Sequence, residues 1–210
     1  LLAKKEIQIN QARKDGATPL FIACQQHYVG IVQLLLTRKD LNIEQMTEYG
    51  ATPLFVASQE GHVDVVQALL SRNGLNIDID VQGLTPLKVA EHNNHTEIVS
   101  LLHQYSMRKG FRILMKSAIA TDDVNNVKTL LDSEMVGVND VIYRGLTVLM
   151  FACDKGHVDV VRVLLKQKNI LVNQAGKDGA TPLFFACRKG HVNVVQLLLA
   201  RKEIDINKEY

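Results

Sequence analysis

The sequence predicts an all-α solenoid in which short helix-turn-helix units stack in single file and are joined by hairpin turns. Three observations carry that prediction. The hexapeptide GATPLF stands at residues 16–21, 50–55 and 179–184, with GLTPLK at 83–88 and GLTVLM at 145–150. Gly16, Gly50 and Gly83 are spaced by 34 and 33 residues and Gly145 and Gly179 by 34, the period of one supersecondary unit repeated. Each copy then continues alike, with an Ala three residues after the Leu, a Gly-His or its substitute, and two β-branched residues before a leucine pair.

The first helix of each unit starts at the motif itself. Thr18, Thr52, Thr85 and Thr181 suit the N-cap, where a hydroxyl accepts a free backbone N–H, and the Pro that follows each of them suits the first helical position. Gly61, Gly156 and Gly190 suit the left-handed residue that ends such a helix. The stretches VDVVQALL, VDVVRVLL and VNVVQLLL then have the apolar spacing of a second helix. KDLNIE, NILVNQ and EIDIN lead through polar tips to the next motif and read as an extended hairpin or turn.

A seam interrupts the file. The third copy ends in HTEIVSLLHQYSMRKG with no hairpin strand, and FRILMKSAIATDDVNNVKTLL has the helix pair without Gly-x-Thr-Pro, so two polar, cap-like units meet in mid-chain. The expected division is 1–105 and 106–210, with units starting near 15, 49 and 82, a cap-like unit near 109–143, and units starting near 144 and 178. Both ends are cut inside a unit: LLAKKEIQIN at 1–10 parallels LLARKEIDIN at 198–207. Uncapped ends predict end-to-end self-association, and they leave open a permuted or incomplete order with Met107 onward lying upstream of Leu1.

These residues resemble the ankyrin repeat family, whose signature places TPLH-x-A after a Gly and Gly-His between two helices; the resemblance covers nearly the whole chain. One departure is systematic, since the family's His after TPL is here Phe21, Phe55, Lys88, Met150 or Phe184. The resemblance therefore implies that inter-repeat hydrogen bonds of that His are replaced by aromatic packing between neighbours. Asn10, Asn139, Asn173 and Asn207 stand where the resemblance places a hairpin Asn, and are expected to bond turn backbone.

Composition narrows the function classes. The chain has 210 residues, 24 basic and 22 acidic, of which residues 1–105 hold 8 basic and 11 acidic and residues 106–210 hold 16 and 11. The longest uncharged run, 17–37, is broken by Pro19, Gln25, Gln26 and Gln33, which argues against membrane insertion. No export signal reads from the first residues, so a cytoplasmic setting is expected and the Asn94-His95-Thr96 sequon is silent. Cys24, Cys153 and Cys187 form neither a CxxC pair nor an even set; each follows the repeat's Ala, a slot that expects a small packed side chain. Ser58 and Glu91 occupy that slot elsewhere.

Catalytic and metal chemistry find little support. His62, His95, His157 and His191 recur at one repeat position, as structural residues do, whereas a metal site needs different ligands to converge. The His92/His95 pair lacks a third ligand. A thiol triplicated without a base nearby is not a nucleophile, and GKDGAT at 176–181 lacks the phosphate-cradling motif. We expect no enzyme activity, no cofactor and no metal.

Recognition should lie where copies differ: at turn tips and first-helix ends. The tip candidates are Lys14 and Asp15, Glu48 and Tyr49, Gln82, Tyr143 and Arg144, and Lys177 and Asp178. The helix-end candidates are Gln25 and Gln26, Gln59 and Glu60, His92 and Asn93, Asp154 and Lys155, and Arg188 and Lys189. The resemblance implies that these line a concave partner-binding face. Tyr49, Tyr143 and Arg144 have hot-spot composition, although tip tyrosines equally serve to cover a neighbouring turn. Lys177, Arg188 and Lys189 form a basic cluster suited to an acidic protein segment, or else a solvated face. A protein-binding scaffold leads, with a regulatory or targeting domain excised from a larger enzyme, effector or channel as the alternative. Nucleic-acid binding ranks last, because the first half is net acidic and no continuous basic stripe runs along the chain.

Overall fold

The computed structural model describes residues 7–72, 74–176 and 178–206. Within them the Thr-Pro motifs open helices as the sequence predicts. α1 (Pro19–Gln25), α3 (Pro53–Glu60), α5 (Pro86–His92) and α10 (Pro182–Arg188) each start on a proline behind a threonine. The four hydroxyls accept the N–H of Phe21, Phe55, Lys88 and Phe184 at 3.1–3.3 Å. α8 (Val148–Lys155) has no proline, yet Thr147 still accepts from Met150 N at 3.2 Å while Met150 Sδ takes the N–H of Thr147, closing a reciprocal cap.

The second helices are α2 (Val29–Leu36), α4 (Val63–Leu70), α9 (Val158–Leu165) and α11 (Val192–Leu199). Their N-caps, Tyr28, His62, His157 and His191, make no side-chain cap. Where Asp123 takes the His position, its carboxylate turns back and accepts from Asn126 N at 3.0 Å, capping its own helix α7 (Val124–Asp132).

The chain divides by contact density into two units, Leu1–Ser106 and Met107–Tyr210. In the first, α1, α3 and α5 lie side by side in succession and α2 packs on α4. Leu20, Cys24, Leu54, Val65, Leu69, Ile98 and Leu102 fill its core. In the second, α8 lies beside α10, and α7, α9 and α11 follow one another. Its core holds Met115, Ile119, Leu149, Met150, Val160, Leu164 and Leu198.

The seam differs from the sequence expectation. A separate end and start are expected there, but one 25-residue helix, α6 (Thr96–Ala120), runs through. Its first half gives Ile98 and Leu102 to the first core, and its second half gives Met115, Ala118 and Ile119 to the second. No Gly-x-Thr-Pro interrupts this stretch, and Gly110 in a helix interior costs only about 1 kcal/mol relative to Ala. The helix is unbroken from Tyr105 to Phe111.

The connections are mostly turns rather than ladders. Backbone bonds close three similar tips: Arg13 N to Ala17 O, Thr47 N to Ala51 O and Gly176 N to Ala180 O, at 2.9–3.0 Å. Two tips are tighter. Val81 bridges Leu84 over Gln82 and Gly83, and β1 (Val141–Tyr143) pairs with β2 (Leu146–Thr147) over Arg144 and Gly145. All four central residues have positive φ, as a twist-matched two-residue hairpin requires.

Candidate functional site

The recurring polar residues are largely committed to joining neighbouring repeats within each unit. His62 Nε2 lies 3.1 Å from Gln25 O, His95 Nε2 3.0 Å from Gln59 O and His191 Nε2 3.1 Å from Asp154 O. Each acceptor sits in the last turn of the preceding first helix, where carbonyls have no partner within the helix. Arg72 and Arg201 do the same for the second helices, donating to Leu36 O at 2.6 Å and Leu165 O at 2.8 Å, with their charge at the negative helix end. Asn10, Asn139 and Asn173 donate to Asp40 O, Asn169 O and Glu203 O and accept from Asn42 N, Leu171 N and Asp205 N. Asn207 lies outside the described residues.

What the joints leave over is the ridge of tips and helix ends. In the first unit Lys14, Gln25, Gln26, Glu48, Gln59, Glu60, Gln82, His92 and Asn93 are exposed. Tyr49 is 74% exposed. Asp15 is half-buried, accepting from Ala17 N at 3.1 Å and meeting Arg13 at 3.3 Å. The structure brings Gln59 and Glu60 together at 3.3 Å and ties Asn93 Nδ2 to Gln59 O at 2.9 Å.

In the second unit Arg144, Lys155, Asp178, Arg188 and Lys189 are exposed, Tyr143 and Asp154 are half-buried, and Lys177 lies outside the described residues. Three expectations change here. Arg188 is not a free cation of a basic cluster: it pairs with Asp154 at 3.2 Å and lies 4.9 Å over the Phe185 ring. Tyr143 packs against Phe151 with ring centres 5.7 Å apart, so it covers its own unit as well as facing out. Cys187 is exposed whereas Cys24 and Cys153 are buried, because no described helix pair stacks beyond α10 and α11 to cover that slot.

The aromatic residues at the family's His position pack in different ways. Phe21 and Phe55 are buried, but no ring pair links them. Phe184 instead meets Phe185 of its own helix edge-on at 5.9 Å.

Sequence reasoning missed His27. It stands in the Gly61 slot with φ 58°, stacks on His62 at 4.3 Å, and reaches Asp64 with Nε2 to Oδ1 at 2.6 Å. That bond holds the Asp64 carboxyl below its ordinary range. The available signal was the substitution itself, a bulky ring at a position that three other copies give to glycine, as Gly61, Gly156 and Gly190.

For chemistry the inventory is short. Among the described residues no three His, Cys, Asp or Glu side chains converge to hold a metal ion. Burial pushes the Cys24 thiol up to about 12 and raises that of Cys153 as well, the opposite of nucleophile activation. No described helix is long and apolar enough to cross a membrane.

A family model described as ankyrin repeats, three copies, matches residues 1–82 and 114–210. The chain belongs to the ankyrin repeat family. The stretch between the two matches, 83–113, contains α5, which still opens on the Thr-Pro motif, and most of α6, which does not. No curated protein matches the chain. Ankyrin repeats are in general protein–protein interaction modules. In this ankyrin chain, many residues that make the repeats are inward or paired between neighbouring repeats, and most of those that differ at the described tips and first-helix ends are exposed.

Proposed function

We propose that this ankyrin chain is a non-enzymatic scaffold that holds a partner protein along the ridge of turn tips and first-helix ends. One observation carries the reading. His62, His95 and His191, with the asparagines and arginines that repeat, are bonded across joints between repeats, whereas the ridge side chains that vary, such as Gln25, Glu60, Tyr49 and Lys189, are exposed on a fixed scaffold. Fixed backbone with variable exposed side chains lets recognition be set without disturbing the fold. A partner laid across several units gains many small contacts, with Tyr49 as the aromatic anchor of the first unit.

Photo-crosslinking tests this. A photoreactive residue at Gln59 or Lys189 is expected to capture partner proteins, and one at Gln67 or Arg162 on the second helices is not. Equal capture from both faces would remove the ridge from the proposal.

A further inference from the structure

Several cations on and beside the second unit's ridge are seated on aromatic rings. Lys116 Nζ is 4.1 Å from the centre of the Tyr143 ring, and the Arg144 guanidinium is 5.2 Å from the same ring. Tyr143 abuts Phe151, whose ring carries Lys155 Nζ at 5.5 Å. On the next unit, Arg188 lies over Phe185 and is steadied by Asp154, with Lys189 exposed beside it. The first unit differs at equivalent positions, where Gln25, Gln26, Gln59, Glu60, His92 and Asn93 include no Lys or Arg.

We infer that this ridge grips an acidic, extended segment of a partner protein, with carboxylates on one side of the segment meeting Lys155 and Lys189 in turn. The inference rests on the interaction reading above and names the chemistry of the partner. Lys155, held on the Phe151 ring, keeps its charge but has already lost part of its side-chain freedom, so binding an anion there costs less ordering. Arg188 is already balanced by Asp154, which among the described residues leaves Lys155 and Lys189 as the exposed lysines at the two first-helix ends. They stand at the same repeat position, Lys155 as the last residue of α8 and Lys189 as the C-cap of α10, and neighbouring packed helices lie about 8–10 Å apart. A polyproline II segment has three residues per turn and rises about 3.1 Å per residue, so every third side chain lies on one side at about 9 Å. Carboxylates three residues apart therefore match the two lysines.

Binding of fluorescent peptides to the full chain, read by anisotropy at about physiological ionic strength, decides the matter. A proline-rich peptide with Glu at every third position is expected to bind. An isomer of the same composition with its Glu residues contiguous is expected to bind at least several-fold more weakly. Lys155→Glu with Lys189→Glu should lower affinity for the spaced peptide tenfold or more, and the gentler Lys155→Gln with Lys189→Gln should lower it less. Lys166→Glu with Lys202→Glu, an equal change of net charge placed off the ridge, should leave it within about twofold. Equal losses in the ridge and control variants would mean attraction by net charge alone and would overturn the inference, as would equal binding of the two isomers. Tighter binding of oligouridylate than of the spaced peptide would point to nucleic acid and overturn it too. Should the peptide fail while crosslinks from Gln59 and Lys189 still capture protein, this inference falls and the interaction reading stands.

Discussion

At the scale of single residues, Gly61 is constrained twice. Its φ of 79° is left-handed, and a Cβ built there would come within 2.6 Å of His95 Cε1, the ring that caps α3 from the next unit. Gly61→Val adds a β-branched side chain to both problems, and should cost about 2–4 kcal/mol in denaturant unfolding. A loss below about 1 kcal/mol would show that neither constraint is felt. The three thiols offer a second check. Cys187 is exposed while Cys24 and Cys153 are buried with raised pKa, so maleimide should modify one thiol in the native protein and three after unfolding. The slot was legible in the sequence, but its exposure was not, because exposure depends on a neighbour packed against it rather than on the slot's own residue. Arg188 teaches the same lesson, since its partner Asp154 is 34 residues away and no local pattern joins them.

Among the elements, the Thr-Pro helices were the most legible, because N-cap and proline act within four residues and need no tertiary partner. The merged helix α6 was the least legible. The apolar residues of its first half, Ile98 and Leu102, and those of its second, Met115, Ala118 and Ile119, serve different cores. Read as one helix, the period breaks, so the sequence suggests two. Gly110 sits exposed inside α6, and a Cβ there would meet nothing within 4 Å. Gly110→Ala should therefore stabilise by about 0.5–1 kcal/mol, with helical circular dichroism unchanged or slightly higher. Gly110→Pro should lower both. If Ala at this position destabilises, the continuous helix is wrong.

For the whole molecule, two separate cores predict two responses to damage. Leu164 is fully buried in the second core, so Leu164→Ala should cost about 2–5 kcal/mol. Hydrogen exchange should then show protection falling in α8 to α11 and persisting in α1 to α4. Equal loss in both would mean that the units fold as one. The division near the seam was visible as a fading of the repeat motif. The binding ridge was visible only as a set of variable positions, and its charge pattern emerged once rings, partners and burial were placed around each lysine and arginine.

The imidazole that rests on Gly61 or Gly156 belongs to the following repeat, so each joint is a two-part lock whose halves are encoded about 35 residues apart. A repeat copied elsewhere in the gene would carry its own ring but leave behind the glycine that received it. Such arrays should therefore lengthen most easily beside copies ending in glycine. At His27, where a second ring fills the slot and stacks on His62, the joint accepts a different key.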